Sequence, residues 1–481
     1  MQIQNLRPGA HIHLMGICGT AMASLAGLLK ERGYKITGSD SNPYPPMSTQ
    51  LEQLGIQIQK PYAAENLQPQ PDFVIVGNVI SANNPEAVEL MRLKIPYASL
   101  PQALGEVIIE DRESIVISGT HGKTTTTSLM AWVAMELGLQ PGFLIGGIPK
   151  NFAKSFQNPK GKYFVIEGDE YDTAFFDKVP KFIHYRPRHV ILTSVEFDHA
   201  DIYKDLNAVK KAFQRLVELI PQSGTLVYYA EDGNVAELAG KAQVAQKASY
   251  GLNQGEYRVQ VLSTTEKGTA FRVTQRGMAV GEFSCSMAGD YNILNCTAVI
   301  TLCHRLGWDM AKVKAAIASF TGVKRRQEIL GEPNGVLIIE DFAHHPTAVR
   351  ETLRGIRERY KGRKIIAVFE PRSATSRRKV FQKDYVEALA LADEVLVMRA
   401  FDQAKIDEGD RFSSDELIAD IFRVGRPAKA FQSADDIVRT LAKTTRPGDL
   451  VLIMSNGGFD GIYDKLLKAL DKVAVDSVKT T

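Results

Sequence analysis

A short segment rich in glycine and threonine, residues 118–125, carries the clearest chemical signal in this sequence. It reads Ser-Gly-Thr-His-Gly-Lys-Thr-Thr, follows an apolar run and leads into a helical pattern that begins near Thr124. Backbone N–H groups in such a turn and at the following helix start favour anionic oxygens. Lys123 would contact the β- and γ-phosphates of a nucleotide, and the Thr124 hydroxyl would bind Mg²⁺. The segment therefore predicts an ATP or GTP site, and a glycine turn with a surface lysine is the plainer alternative.

Acidic residues and a histidine follow two further apolar runs. Glu167 ends one run, and Asp169 and Glu170 come just after it, while His199 lies in an acidic segment after the next run. Because ligands bind at the carboxyl ends of parallel strands and Mg²⁺ takes few protein carboxylates, Glu167 is predicted as a second magnesium ligand. His199 is a candidate ligand of a second metal, with a structural histidine as the alternative. We interpret Asp169 and Glu170 as a solvated acidic loop.

Three polar clusters elsewhere could contact a nucleotide or an anionic substrate. Asn292 and Asn295 share one face near the start of a predicted helix, so they could cap it or bind an adenine edge. Asp341 could hold a ribose hydroxyl and His344 could lie near the phosphates, although the adjacent histidine is also a metal cue. An arginine-rich segment could bind substrate carboxylates through planar guanidinium groups, or form a solvated basic loop. Its arginines are Arg372, Arg377 and Arg378.

A second glycine turn, residues 16–22, follows the first predicted strand. It lacks the full G-x-G-x-x-G spacing, so it indicates NAD only weakly. The turn could equally bind the pyrophosphate of a UDP-sugar at the start of the next helix. The candidate residues for binding a UDP-linked substrate are Gly16, Cys18, Gly19, Thr20, Ala21 and Asp40.

The elements that must position these residues alternate between short apolar runs and helical patterns. This alternation predicts parallel sheets with crossover helices in the first third, in the start of the middle third and in the last third. Between about 257 and 287 the apolar residues alternate with a period of two, which predicts antiparallel hairpins. We therefore predict an α/β fold with three domains, 1–108, 109–322 and 323–481.

The composition agrees with a soluble globular protein of about three domains, since 44% of the 481 residues are hydrophobic and 23% are charged. The net charge of +3 is small and the basic residues are dispersed, so no nucleic-acid partner is predicted. The four cysteines form no CxxC pair, which fits reduced thiols in a cytosol. No signal peptide and no apolar run of ~18 residues is visible, so we expect a cytoplasmic protein without a membrane partner.

Taken in this order, the segments resemble the Mur ligase family of peptidoglycan synthesis over essentially the whole chain. The resemblance rests on the phosphate loop, Glu167, Asp198 with His199, the two asparagines, Arg326 in a basic run, and residues 341–346. It implies a Rossmann-like UDP-binding domain, a central P-loop-type ATPase domain with an added antiparallel sheet, and a C-terminal Rossmann-like ligase domain. It also implies a ligase that uses ATP and Mg²⁺ to activate a muramoyl carboxylate as an acyl phosphate, which an amine then attacks.

The resemblance also implies residue roles. Lys123, Glu167 and His199 would be catalytic, with Thr124 and Glu167 on one Mg²⁺ and Glu167 and His199 on another. The ATP contacts would be Gly119, Thr120, His121, Gly122, Lys123, Thr124, Thr125, Asn292, Asn295, Arg326, Asp341 and His344. Two positions depart from the family pattern. Asp290 stands where a histidine is usual, and Phe213 stands where some relatives carry a carbamylated lysine, so neither Lys210 nor Lys211 takes that role.

Several longer runs, at 170–178, 196–201, 370–373 and 455–459, favour one branch of the family. The expected substrates are UDP-N-acetylmuramate and the murein tripeptide L-alanyl-γ-D-glutamyl-meso-diaminopimelate, as in peptidoglycan recycling. The alternative is L-alanine as the amine, as in de novo synthesis, and the arginine-rich segment favours the larger anionic peptide. A nucleotide-dependent binding module without ligase activity is a different class, which the intact catalytic set argues against. We expect a monomer or a weak homo-oligomer.

Overall fold

The computed structural model describes residues 3–43, 47–152, 154–400, 402–404 and 406–479, with side chains up to residue 471. Within these residues the chain forms sheets of five, ten and six strands in succession, and a two-stranded ribbon accompanies the ten-stranded sheet. We call the parts built on the three large sheets the first, central and C-terminal units. No helix in the described ranges is both long and apolar enough to cross a membrane.

The first unit is a parallel sheet with strand order β3-β2-β1-β4-β5. Local sequence explains its elements, since the Phe-Val-Ile-Val strand β4 is fully buried and Asn84 caps helix α3 by accepting a hydrogen bond from the Glu86 backbone N–H at 2.9 Å. The elements are β1 (His11–Met15), α1 (Thr20–Glu31), β2 (Lys35–Ser39), α2 (Met47–Gln53), β3 (Ile58–Gln59), β4 (Phe73–Val76), α3 (Pro85–Leu93), β5 (Tyr97–Ser99), α4 (Leu100–Ala103) and a π-helix, Leu104–Ile109.

The central unit has the strand order β17-β16-β15-β14-β13-β12-β6-β9-β7-β8. Its strands are β6 (Glu113–Ser118), β7 (Gly142–Leu144), β8 (Phe156–Gln157), β9 (Tyr163–Gly168), the ribbon β10 (Asp172–Ala174) and β11 (Asp177–Pro180), β12 (Pro187–Leu192), β13 (Thr225–Tyr229), β14 (Gln246–Gly251), β15 (Tyr257–Thr265), β16 (Gly268–Gln275) and β17 (Met278–Cys285). Its helices are α5 (Lys123–Glu136), α6 (Leu206–Glu218), α7 (Gly233–Lys241), α8 (Asp290–Arg305) and α9 (Met310–Ser319).

The pairing of β6 with its two neighbours positions the chemistry. β6 lies between β9 and β12 and runs parallel to both. The segments that follow these three strands therefore leave the sheet at one edge, although they are far apart in sequence. The phosphate loop follows β6, the acidic segment follows β9, and the segment containing His199 follows β12.

The C-terminal unit is a sheet of order β18-β19-β23-β20-β21-β22 in which β18 alone is antiparallel. Its core strands are continuous apolar runs buried on both faces, as expected for a sheet covered by helices. The elements are β18 (Glu328–Gly331), β19 (Leu337–Asp341), α10 (Pro346–Arg359), β20 (Ile365–Phe369), α11 (Gln382–Leu389), β21 (Glu394–Met398), α12 (Ser414–Arg423), β22 (Ala428–Phe431), α13 (Ala434–Thr444), β23 (Leu450–Met454) and α14 (Ile462–Lys479).

The units pack directly on one another. Gly27 of α1 lies against the ring of Phe156, where any Cβ would collide with the ring, and the Ser24 and Ser155 hydroxyls hydrogen-bond beside it at 2.9 Å. The predicted α/β class and the antiparallel hairpins are confirmed, the latter as β15–β17. The domain boundaries at 108/109 and 322/323 stay predictions.

Candidate active site

The phosphate loop joins β6 to α5 and is held tightly between neighbouring elements. Gly119 and Gly122 have φ of +133° and +82°, a region that favours glycine. A Cβ on Gly122 would lie 2.7 Å from Asn295 Oδ1, and one on Gly119 would collide with the Thr193 hydroxyl. The loop therefore needs glycine at both positions, and Asn295 of α8 lies directly beside it.

Lys123 begins α5 and points into a buried acidic environment. Its Nζ lies 3.1 Å from Glu170 Oε2 and donates to the Gly119 carbonyl at 2.6 Å. Burial alone would lower the pKa of Lys123, but the charges of Glu170 and Asp169 raise it above the ordinary value. Lys123 is therefore a permanent cation at the start of a helix, where phosphate oxygens are favoured.

Thr124 and Glu167 form the pair that was predicted to hold magnesium. The Thr124 hydroxyl donates to Glu167 Oε2 at 2.9 Å, and the Gly146 N–H donates to Glu167 Oε1 at 2.6 Å. Burial raises the pKa of Glu167, and the negative charge of Asp169 raises it further. A nearby cation would stabilise the charged form of this carboxylate. The Thr124 hydroxyl and the Glu167 carboxylate suit Mg²⁺, which prefers hard oxygen ligands and few protein carboxylates.

The prediction that Asp169 and Glu170 form a solvated loop is wrong. The Glu170 side chain is only 2% exposed and lies between Lys123 and His199, with His199 Nε2 at 3.5 Å. Asp169 pairs with Lys181 at 3.0 Å. The two carboxylates are withdrawn from solvent because Lys123 and Lys181 neutralise them, as buried charges require.

Sequence reasoning also missed Lys181 and Tyr203, which complete this cluster. The Lys181 ammonium lies 4.1 Å from the centroid of the Tyr171 ring, and its side chain is 12% exposed. The Tyr203 hydroxyl donates to the Glu170 carbonyl. Neither residue lies in a recognisable motif, so only their positions in the fold identify them.

His199 has a left-handed backbone, with φ of +53°. Asp198 Oδ1 accepts the His199 N–H at 2.7 Å and stabilises this turn. Burial alone would lower the pKa of His199, but its hydrogen bond to Glu170 and the charge of that carboxylate raise it. The residue predicted to share a metal with Glu167 therefore pairs here with Glu170, and its role as a metal ligand stays a prediction.

The remaining predicted nucleotide residues line the junction between the central and C-terminal units. Asn292 Nδ2 donates to the Ala288 carbonyl at 2.8 Å, and Asn295 Nδ2 lies 3.5 Å from Asn292 Oδ1. Asp341 accepts backbone N–H groups from Gln327 at 2.8 Å and Ala343 at 2.7 Å. These contacts orient the Asp341 carboxylate at the end of β19, beside the central unit.

Arg326 and His344 flank Asp341. The Arg326 guanidinium lies 4.6 Å from the centroid of the Phe342 ring. Burial lowers the pKa of Arg326, while the charges of Asp341 and Glu167 oppose this effect. Burial also lowers the pKa of His344, whose Nδ1 lies 3.0 Å from the Phe342 carbonyl. Arg326 is therefore a partly buried cation whose charge interacts with the carboxylates of Asp341 and Glu167.

A second group of possible metal ligands lies beside the phosphate loop. His121, Glu196 and His345 bring one ligand atom each to within 4.8 Å of one another. However, His345 Nδ1 accepts the Thr347 N–H at 3.3 Å, and its Nε2 donates to the Phe197 carbonyl at 3.2 Å. Both ring nitrogens of His345 are thus already hydrogen-bonded, so a metal bound here would have to displace one of these hydrogen bonds.

The glycine turn of the first unit brings its predicted residues together. Asp40 Oδ2 accepts the Cys18 N–H at 3.0 Å, Gly16 has φ of +78°, and Gly19 precedes the first residue of α1, Thr20, which Ala21 follows. Burial raises the pKa of Cys18 to about 12, and Asp40 adds to the effect. The turn therefore offers backbone N–H groups and an uncharged thiol at a helix N-terminus, with the Asp40 carboxylate beside them.

The three arginines predicted to bind peptide carboxylates have separate neighbours. Arg372 pairs with Glu370 at 3.2 Å and packs against Gly457. Arg377 donates to the Asp402 carbonyl at 2.6 Å. The backbone of Arg378 forms an isolated antiparallel β-bridge with that of Arg411. Their convergence on one substrate stays a prediction.

Comparison with known proteins identifies the class. Three family models match in order: "Mur ligase family, catalytic domain" over residues 11–112, "Mur ligase middle domain" over 117–303 and "Mur ligase, glutamate ligase domain" over 325–457. The chain belongs to the Mur ligase family, which confirms the resemblance seen in the sequence.

Relatives from two branches of the family match this chain, at different sequence identities. UDP-N-acetylmuramate–L-alanyl-γ-D-glutamyl-meso-2,6-diaminoheptandioate ligase of Escherichia coli is 40% identical, covering 96% of this chain and 99% of that protein. UDP-N-acetylmuramate–L-alanine ligase of Desulfitobacterium hafniense is 32% identical, covering 93% and 97%. A murein peptide ligase structure from Psychrobacter arcticus matches with a TM-score of 0.71 and 35% identity, covering 96% of this chain and 99% of that one.

Proposed function

We propose that this protein is an ATP-dependent ligase that joins L-alanyl-γ-D-glutamyl-meso-diaminopimelate to UDP-N-acetylmuramate, in peptidoglycan recycling. The observation that carries the proposal is the partly buried, hydrogen-bonded set of Lys123, Thr124 and Glu167 at one edge of the central sheet. The set lies in a chain that is 40% identical to a protein named for this tripeptide reaction and 32% identical to one named for L-alanine. L-alanine is the second candidate amine.

The chemistry requires activation of a carboxylate, because a carboxylate is a poor electrophile. Bound MgATP supplies the phosphoryl group that turns the muramoyl carboxylate into an acyl phosphate with a good leaving group. Lys123 and the loop N–H groups would hold the phosphates, while Thr124 and Glu167 would hold Mg²⁺. Asn295 lies against the loop, and Asp341 and Arg326 lie at the unit junction, where they would hold the rest of the nucleotide.

The second step needs an amine placed against the activated carbonyl, with water excluded. The α-amine of the peptide attacks the acyl carbon, the C–O bond to phosphate breaks, and the amine loses a proton. The positions of the reacting groups would come from both outer units: the turn at 16–21 with Asp40 for the UDP moiety, and Arg372, Arg377 and Arg378 for the peptide carboxylates. The four cysteines are buried free thiols, which suits a reducing cytoplasm.

The test is a ligation assay with purified protein, UDP-N-acetylmuramate, MgATP and either the tripeptide or L-alanine. With the tripeptide we expect release of phosphate and, in mass spectrometry, a product with the mass of the ligated UDP-N-acetylmuramoyl tripeptide. Lys123→Ala should reduce turnover at least ~100-fold, as loss of a transition-state charge contact does. The matched control is Lys204→Ala, because the Lys204 side chain is 86% exposed and should leave turnover unchanged. Turnover with L-alanine alone would assign the second candidate, and no turnover with either amine would refute ligase function.

A further inference from the structure

The segment that contains His199 is contacted by the C-terminal unit on both sides of the histidine. The Thr375 hydroxyl donates to Asp198 Oδ1 at 2.7 Å and lies 3.4 Å from the Ala200 N–H, which donates to it. Thr375 is 3% exposed and Asp198 is 8% exposed. One hydroxyl from the C-terminal unit thus acts as donor to the residue before His199 and as acceptor for the residue after it.

The Asp198 carboxylate passes this contact to His199. Its Oδ1 accepts both the Thr375 hydroxyl and the His199 N–H, each at 2.7 Å. His199 has φ of +53°, which a residue with a Cβ keeps only when its surroundings hold it there. The Thr375 hydroxyl therefore stabilises the backbone conformation that directs His199 towards Glu170 and Lys123.

Hydrogen bonds close the turn that contains Thr375. This turn follows β20, and in it the Ser376 N–H and the Ser376 hydroxyl both contact Ser373 Oγ at 2.9 Å. A second contact between the same two units lies nearby, where the His345 ring donates to the Phe197 carbonyl and the ring centroids of Phe197 and Phe381 are 6.3 Å apart. The C-terminal unit thus contacts Phe197, Asp198 and Ala200, so the position of the whole segment depends on how that unit sits.

We infer that Thr375 is a positioning residue, which sets His199 for metal and phosphate chemistry only when the C-terminal unit is seated on the central unit. The inference rests on the proposed function for the identity of that chemistry. The contact makes the conformation of the His199 turn depend on the docking of the C-terminal unit, because Thr375 is the residue of that unit that bonds to both Asp198 and Ala200.

The decisive variant is Thr375→Val, which keeps the volume but removes the donor and the acceptor. We expect kcat to fall roughly 10- to 100-fold, as losses of groups that orient metal ligands do, with KM for UDP-N-acetylmuramate unchanged. Thr375→Ser keeps the hydroxyl and should restore kcat to within about twofold. The matched control is Thr445→Val, which deletes a hydroxyl that donates to the Leu441 carbonyl inside the C-terminal unit. Thr375→Ala provides a second deletion without steric risk if the valine variant fails to fold.

A binding measurement separates this inference from the proposed function. Mn²⁺ titrated into the ADP complex and followed by electron paramagnetic resonance should bind the valine variant roughly tenfold more weakly than wild type or the serine variant. Weaker binding by the valine variant in a protein without ligation would support the positioning role while the proposed function failed. Wild-type kcat and Mn²⁺ affinity in folded Thr375→Val, or equal losses in Thr375→Ser and Thr375→Val, would overturn the inference.

Discussion

The buried pair of Lys123 and Glu170 makes a prediction about the protein without nucleotide. The two side chains are 14% and 2% exposed, and their charged atoms are 3.1 Å apart. Removing one partner of a buried pair leaves an uncompensated charge, at a cost of about 3–5 kcal/mol. Because Lys123 keeps the Gly119 carbonyl and the charge of Asp169, we expect Glu170→Gln to lower the free energy of unfolding by about 3 kcal/mol, the lower end of that range.

Nucleotide should reverse part of this loss. Phosphate oxygens compete with Glu170 for Lys123, so wild-type protein must break the pair when MgADP binds, whereas Glu170→Gln has no pair to break. We expect the variant to bind MgADP about tenfold more tightly, which narrows the stability difference by about 1.4 kcal/mol at a fixed saturating MgADP concentration.

Urea unfolding with and without MgADP measures the stability, and calorimetry measures the affinity. Tryptophan fluorescence reports on the central unit, because the two tryptophans, Trp132 and Trp308, lie in α5 and beside α8. The control is Glu237→Gln, whose side chain is 46% exposed and whose partner lysines, Lys210 and Lys241, are 20% and 42% exposed, with an expected effect of under ~1 kcal/mol. A Glu170→Gln protein with wild-type unfolding and wild-type MgADP affinity would refute the role of Glu170 as the counter-ion of Lys123.

Two further predictions concern the phosphate loop and the pH dependence of stability. Gly122→Ala should weaken MgADP binding at least ~10-fold in calorimetry, because strain at φ +82° adds to a Cβ 2.7 Å from Asn295 Oδ1. Gly138→Ala is the control, because Gly138 also has a positive φ, +75°, but a Cβ there would meet no neighbouring atom. Equal losses of MgADP affinity in the two variants would contradict the prediction. Burial lowers the pKa of His189, so between about pH 6.5 and that lowered pKa the unfolded chain binds this proton and the folded chain does not. The free energy of unfolding should therefore decrease by up to ~1.4 kcal/mol per pH unit as the pH falls, and urea unfolding of His189→Gln should lack that part of the slope; identical slopes would contradict it.

Local signals made much of the fold predictable. The apolar run before residue 118, the glycines at 119 and 122 and the threonines after Lys123 act within a few residues of one another, and the structure has the expected strand, loop and helix. The two-residue alternation between 257 and 287 likewise depends on neighbours in the chain, and it forms β15–β17. Periodicity and turn chemistry are sufficient where the decisive contacts are local.

Long-range contacts explain what the sequence could not predict. An acidic run such as 169–170 is typical of solvent-exposed loops, but Glu170 is buried where Lys123, after β6, and His199, after β12, contact its carboxylate. Thr375 lies 177 residues from Asp198, and nothing near either residue indicates their contact. A charged side chain is buried only where an oppositely charged or hydrogen-bonding group meets it. Here those groups come from distant parts of the sequence, so local sequence patterns do not predict the burial.

Transfer of oxygen from carboxylate to phosphate tests the proposed reaction most directly. UDP-N-acetylmuramate labelled with ¹⁸O in both carboxylate oxygens is incubated with the protein, MgATP and the tripeptide, and the released phosphate is analysed by mass spectrometry. If the carboxylate attacks the γ-phosphate and the amine then displaces phosphate from the acyl carbon, each phosphate formed carries one labelled oxygen. Unlabelled phosphate formed together with the ligated product would contradict activation through an acyl phosphate.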